Sequence, residues 1–154
     1  MTTRSYWIGV IAQDNAAAGV AGGFAQLAHG RAGPLERMRE GDGYACYSPR
    51  TAWPGGDPLQ AFTAIGRVAA GGIRMAADGG ESPVFRRAVH YLPARAAPVR
   101  PLVAALTFIR SKEHWGTAFR FGFLRVPEVD FARIAAAMGR DFARDFPATE
   151  PAPA

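Results

Sequence analysis

Hydrophobic and polar positions along the chain change period several times, and each change marks an element. Residues 6–12 form a short apolar run of aromatic and β-branched side chains, which predicts a central strand. Asp14 stands where it can cap a short helix reaching Val20, with Gly22 and Gly23 ending it. A glycine-bounded loop spans residues 22–30. Pro34 then opens a helix of one or two turns over residues 34–38, closed near Gly41. After the turn pair Asp42 and Gly43, residues 44–48 alternate as a strand. Tyr44, Cys46 and Ser48 share one face, and Ala45 and Tyr47 the other. Residues 49–58 mix Pro, Gly and Trp53 without a period and read as a loop.

Residues 59–68 predict a long strand with Phe62, Ala64 and Val68 on one face, and Gly71 and Gly72 predict a turn before a further strand over 73–76. Residues 77–83 are a polar loop. In residues 84–92, Phe85, Val89 and Tyr91 face inward against Arg86, Ala88 and His90, while Arg87 breaks the inward face. Residues 100–106 fit one or two helical turns, and residues 108–115 show no firm period. Phe119, Phe121 and Phe123 fall at period two, predicting a strand with a heavy aromatic face. Pro127 starts the last helix, whose Phe131, Ile134, Ala135 and Met138 form one stripe, and Gly139 caps it. These elements describe one domain over residues 1–140, followed by a Pro- and Ala-rich tail over 141–154 that is expected to be disordered. Five to six strands with inserted rather than alternating helices predict a mixed α+β fold. Its sheet is curled and mostly antiparallel, with short inserted helices and a C-terminal helix.

Composition narrows the class. Of 154 residues, 49% are hydrophobic, enough for a real core. No apolar run approaches the roughly 18 residues of a membrane span, and the polar N-terminus lacks the pattern of a signal peptide. The single cysteine, Cys46, excludes an internal disulfide and suits a reducing cytoplasm, the expected location. The net charge is +5, and Lys112 is the only lysine among 18 basic residues. Such a surface suits a polyanionic partner, and it equally suits solubility.

Most familiar chemistries are not supported. His29, His90 and His114 are scattered without ligand spacing, so no metal site is expected. The glycine pairs match no nucleotide-binding fingerprint, and no cofactor is implied. Cys46 sits mid-strand between tyrosines, where a buried inert thiol is the plainer reading. Residues 22–30 are more suggestive. They place an aromatic face (Phe24), an amide (Gln26) and an imidazole (His29) between glycines, the equipment for a flat, polar-edged ligand. A core phenylalanine with solvated neighbours is the competing reading.

Several segments recur together in a known family: Tyr6-Trp-Ile-Gly-Val10, Gly22-Gly-Phe-Ala-Gln-Leu-Ala-His-Gly30, Pro34-Leu-Glu-Arg-Met38 with Gly41-Asp42, and Tyr47-Ser-Pro-Arg50. Leu59-Gln-Ala-Phe-Thr-Ala-Ile-Gly66, Phe85-Arg-Arg87 and Trp115-Gly-Thr-Ala-Phe-Arg-Phe-Gly122 complete the series. The chain resembles the EVE domain family, in its standalone bacterial branch. The resemblance implies a PUA-like fold, a small β-barrel with inserted helices. It also implies kinship with YTH domains, and a non-catalytic role in binding a modified nucleobase, methylated or cytosine-type, in DNA or RNA. By that likeness the ligand-binding residues are Gln13, Phe24, Gln26, His29, Gly30, Tyr47, Ser48, Pro49, Gln60, Trp115 and Arg120. Arg50, Arg86 and Arg87 are the phosphate contacts. Relatives often place a serine at the end of the first strand, where this chain has Ala12, so a base contact from that hydroxyl is absent. The implied partner is a nucleic acid carrying a modified base, with no membrane, and the protein is expected to be a monomer.

Two alternatives stand beside this reading. Related ASCH domains look like amidohydrolases relying on Lys, Thr and Glu, which here leaves Lys112, Glu113 and Thr63 for an enzyme acting on a modified nucleoside. A protein-interaction module would bind protein rather than nucleoside.

Overall fold

A computed structural model describes residues 3–77, 80 and 82–148. Among these residues, seven strands make one sheet: β1 (Tyr6–Val10), β2 (Phe24–Ala25), β3 (Gly43–Arg50), β4 (Pro58–Ala76), β5 (Val84–Tyr91), β6 (Ala97–Pro98) and β7 (Phe123–Val126). Their order is β2-β5-β4-β3-β1-β7, with β6 against β4. Only β1 and β3 pair in parallel; the other ladders are antiparallel. The ends of this path, β2 and β7, are not paired with each other, so the sheet is not closed into the expected barrel. The helices are α1 (Gln13–Gly22), α2 (Gly33–Arg37), α3 (Glu128–Ala137) and α4 (Phe142–Asp145). The expected mixed fold and its C-terminal helix are present.

Each face of the sheet is covered. On one side Ile8, Phe62, Ile65 and Leu106 pack with Phe131, Ile134 and Met138 of the α3 stripe. On the other, Trp7, Tyr44, Cys46, Val68 and Val89 pack with Ala16 of α1 and with Leu27, Leu35 and Met38. Both layers are fully or almost fully buried, which fixes the register of β1 and β3 at the centre.

Five local expectations are corrected. Asp14 does not cap α1; the position before the helix is Ala12, without a side-chain cap, while Gly23 ends it in a left-handed turn at φ 72°. Gly71 and Gly72 do not end a strand. β4 runs through them, and its pairing jumps from Val68↔Val89 to Ile73↔Arg87, so three residues bulge out. A second irregularity, between Cys46↔Ala64 and Tyr47↔Phe62, leaves Thr63 unmatched. That extra residue sends Phe62 to one core and Ala64 and Val68 to the other, not to a shared face. The period-two aromatic strand begins only at Phe123. Residues 115–119 are a 3₁₀ helix, which buries Phe119 and leaves Phe121 88% exposed. Finally, the domain does not stop at 140: α4 follows, and Phe146 is buried against Tyr6, Phe131 and Phe142. The tail beyond 148, expected to be disordered, lies outside the described residues.

Buried carboxylates serve this frame. Asp42 accepts from the Ser5 and Arg39 amides and the Trp7 indole. Asp130 accepts from both the amide and hydroxyl of Thr107 and from the Phe108 amide. None of the helices among the described residues is long and apolar enough to cross a membrane.

Candidate functional site

A cleft of about 820 Å³ opens where the end of β1, the start of α1, the segment after β2 and the loop after β3 converge. Its apolar floor comes from Val10, Ile11 and Ala12, and Phe123 and Pro49 add to the wall. Six expected ligand residues or their neighbours meet there: Phe24, Gln26, His29, Gly30, Pro49 and Arg120. Of the expected phosphate contacts, Arg50 and Arg86 line it too.

The loop from Leu27 to Gly30 is held in an unusual conformation. Ala28, His29 and Gly30 all take positive φ, at 50°, 58° and 86°. Gly30 is needed twice over, because a Cβ there would also stand 2.5 Å from Val84 Cγ1. Two successive side-chain residues in this region store strain of order 1–3 kcal/mol each, which sites tolerate when surrounding structure enforces it. The result is an exposed His29 at the cleft edge.

Arg86 is fixed from two sides. Its Nε donates to Gln26 Oε1 at 2.9 Å, and its guanidinium carbon lies 4.0 Å from the centre of the Phe24 ring. The Phe24 ring is therefore not open on both faces, and stacking of a base on it as a bare platform is corrected to an Arg86–Phe24 stack. Arg50 braces the loop beyond β3, its Nε donating to the Gly55 carbonyl at 2.9 Å and an Nη to that of Gly56 at 2.5 Å. That loop presents Trp53, 62% exposed, at the mouth. Phe121 flanks the opening beside Arg120. Among the described residues, no aspartate or glutamate lines the cleft.

Other expected residues stand elsewhere. Tyr47 is buried and stacked on Phe119 at 4.0 Å, and burial pushes its hydroxyl up to about 12. Ser48 is fully buried with its hydroxyl 2.7 Å from that of Thr63. Trp115 packs edge-on to Phe119 under Arg100, in the core layer of α3. Gln13 and Gln60 do not line the cleft; Gln60, at φ 56°, gives its carbonyl to the Val99 amide. Arg87 points its Nε into the interior, with no partner among the described residues. The reasons differ: strand alternation turns Tyr47 into the core layer, and the 3₁₀ helix over residues 115–119 packs Trp115 against Phe119.

The amidohydrolase set is not assembled. Lys112 Nζ donates to the Val103 and Leu106 carbonyls at 3.0 and 2.8 Å, Thr63 is bonded to Ser48, and neither lines the cleft. Burial pushes the Cys46 thiol up to about 12, so it is no nucleophile at neutral pH.

Sequence comparison matches the EVE domain over residues 5–137. The chain belongs to the EVE domain family. Relatives include a UPF0310 protein of Mycobacterium avium, 42% identical over 86% of this chain and 96% of its own length. The UPF0310 protein YdcG of Bacillus subtilis is 40% identical over 88% and 92%. In fold, this EVE domain is similar to the crystal structure of protein Atu2648 from Agrobacterium tumefaciens. The TM-score is 0.55, covering 95% of this chain and 99% of that one, at 15% identity.

Trp53, Asn15, Phe123 and the outward Phe121 are among the lining residues that sequence reasoning missed. A signal existed for Trp53: a lone tryptophan in a Pro- and Gly-rich stretch has no periodic partners with which to be buried. For Phe121 the period-two pattern pointed the wrong way.

Proposed function

We propose that the cleft takes up a single nucleobase, flipped from its strand or already single-stranded, and that this EVE domain is a non-catalytic reader of a modified base in DNA or RNA. The observation that carries the reading is the composition of one concave site. It has two aromatic side chains left in water, three arginines, and no carboxylate among its described residues. Trp53 and Phe121 supply stacking surface, worth about 1–3 kcal/mol per base. Gln26 and His29 address the base edge. Arg50 and Arg120 stand where the strand's phosphates would pass, which makes affinity salt-dependent.

Burying an added methyl contributes about 0.8 kcal/mol, so a methyl alone gives selectivity below about tenfold. The test is a fluorescence-anisotropy titration of oligonucleotides that differ at one base. Tighter binding of a modified strand than of its plain counterpart is expected. Equal affinity for every strand rejects the proposal.

A further inference from the structure

We infer that the Arg86 guanidinium makes this cleft selective for an acidic base modification, an exocyclic carboxylate on the base. The inference rests on the base-reading proposal above and specifies its ligand.

The Arg86 guanidinium is anchored. Phe24 holds its plane and Gln26 takes its Nε–H, so the terminal nitrogens are left without a partner among the described residues. Because a guanidinium only donates, Gln26 must turn its oxygen toward Arg86, and its own amide nitrogen is left as a further donor. This wall therefore offers donors. Acceptor–donor hydroxyls are withdrawn from it: Ser48 and Thr63 bond to each other, and Ala12 presents a methyl. Arg50 and Arg120 add positive charge that no described carboxylate of the cleft offsets.

A ligand edge that fits must bring acceptors, and preferably charge. A methyl brings neither. A hydroxymethyl brings one oxygen and a formyl one acceptor. A carboxylate brings two coplanar oxygens, which match a preoriented guanidinium fork in a two-bond pairing. The guanine O6/N7 edge offers a similar pair without charge, so it is the neutral competitor.

The test uses the full chain and single-stranded oligonucleotides varied at one position: cytosine, its 5-methyl, 5-hydroxymethyl, 5-formyl and 5-carboxyl derivatives, and guanine. The 5-carboxyl strand is expected to bind at least about tenfold tighter than the 5-methyl strand, the scale of a charge-assisted pair. Gln26→Glu still accepts from Arg86 Nε but sets a negative charge beside the fork. It is expected to rank the 5-carboxyl strand below the 5-methyl strand, and Arg86→Lys is expected to erase the preference. Circular dichroism checks that both variants are folded. Methyl or guanine bound as tightly as carboxyl overturns the inference, as does a carboxyl preference that survives Gln26→Glu. If methyl and hydroxymethyl exceed cytosine while carboxyl does not, only this inference falls. If no modified strand exceeds cytosine, the base-reading proposal falls with it.

Discussion

Arginines at the C-terminal end and arginines around the cleft meet opposite surroundings. Arg140 forks onto Asp145, Nε to Oδ2 at 2.8 Å and Nη2 to Oδ1 at 3.0 Å, and Arg144 Nε reaches the same carboxylate at 3.3 Å. Arg133 lies 3.6 Å from the buried Asp130. In the cleft, Arg86 meets a ring and an amide, Arg50 meets backbone carbonyls, and Arg120 approaches the Phe121 ring. The first set is neutralised inside the protein, whereas the second keeps its charge for something else. A net charge of +5 therefore says less than the location of the missing counter-charges.

The largest effect should come from the neutralised set. Asp130→Ala removes the acceptor of two amides and a hydroxyl and is expected to destabilise the fold by about 3 kcal/mol in chemical denaturation. Oligonucleotide affinity of the folded protein should not change. Next is the cleft set. The Arg86→Ala, Arg120→Ala double variant should lose about 30-fold in affinity, with a salt slope shallower by about one, the phosphate contact of Arg120. Its stability should stay within about 1 kcal/mol of wild type. Loss of binding in the first variant, or unfolding in the second, would break the distinction.

The same division applies to two phenylalanines, two residues apart. Phe121→Ala is expected to weaken binding about fivefold, since one stacked face contributes roughly 1 kcal/mol, and to leave the melting temperature unchanged. A shift in melting temperature without loss of affinity would place Phe121 among the packing residues instead.

How far these divisions are legible before folding depends on the physics of each element. The α3 stripe and β1 could be read directly, because burial of one face leaves a period in the sequence. The cleft's first wall, Phe24 to Gly30, was legible as a glycine-bounded group of chemical types. What could not be read was register. The extra residue at Thr63 and the bulge in β4 alter which side chains share a face, and no local pattern announces them. Tyr47 follows the alternation read for β3 and is packed in the core, while Ser48 is buried with its hydroxyl against that of Thr63, a partner no local pattern names. The stack of Arg86 on Phe24 depends on β2 pairing with β5 across some sixty residues, as Phe24↔Ala88 and Ala25↔Arg87. Asp42 looked like half of a turn and proved to be a buried acceptor of three bonds, because its partners Ser5 and Trp7 lie just before and within β1, distant in sequence.

The smallest effect sharpens the comparison through pH. Hydrogen bonding from Arg140 holds the Asp145 carboxyl below its usual range, with burial opposing and Arg144 adding to the shift. A carboxylate whose folded pKa lies below its unfolded value, near 3.9, stabilises the fold above that value. Its contribution fades as pH falls from there through the folded pKa. Asp145→Asn has no such contribution to lose. The gap in melting temperature between wild type and this variant should thus be constant near neutrality and shrink below about pH 4. The gap should be small, because Arg144 is exposed and water screens the pair. Oligonucleotide affinity should be identical for the two proteins at neutral pH, since no cleft arginine has Asp145 as a partner. A gap that held constant into acid would mean that packing of α4, not the charge pair, is what the aspartate supports.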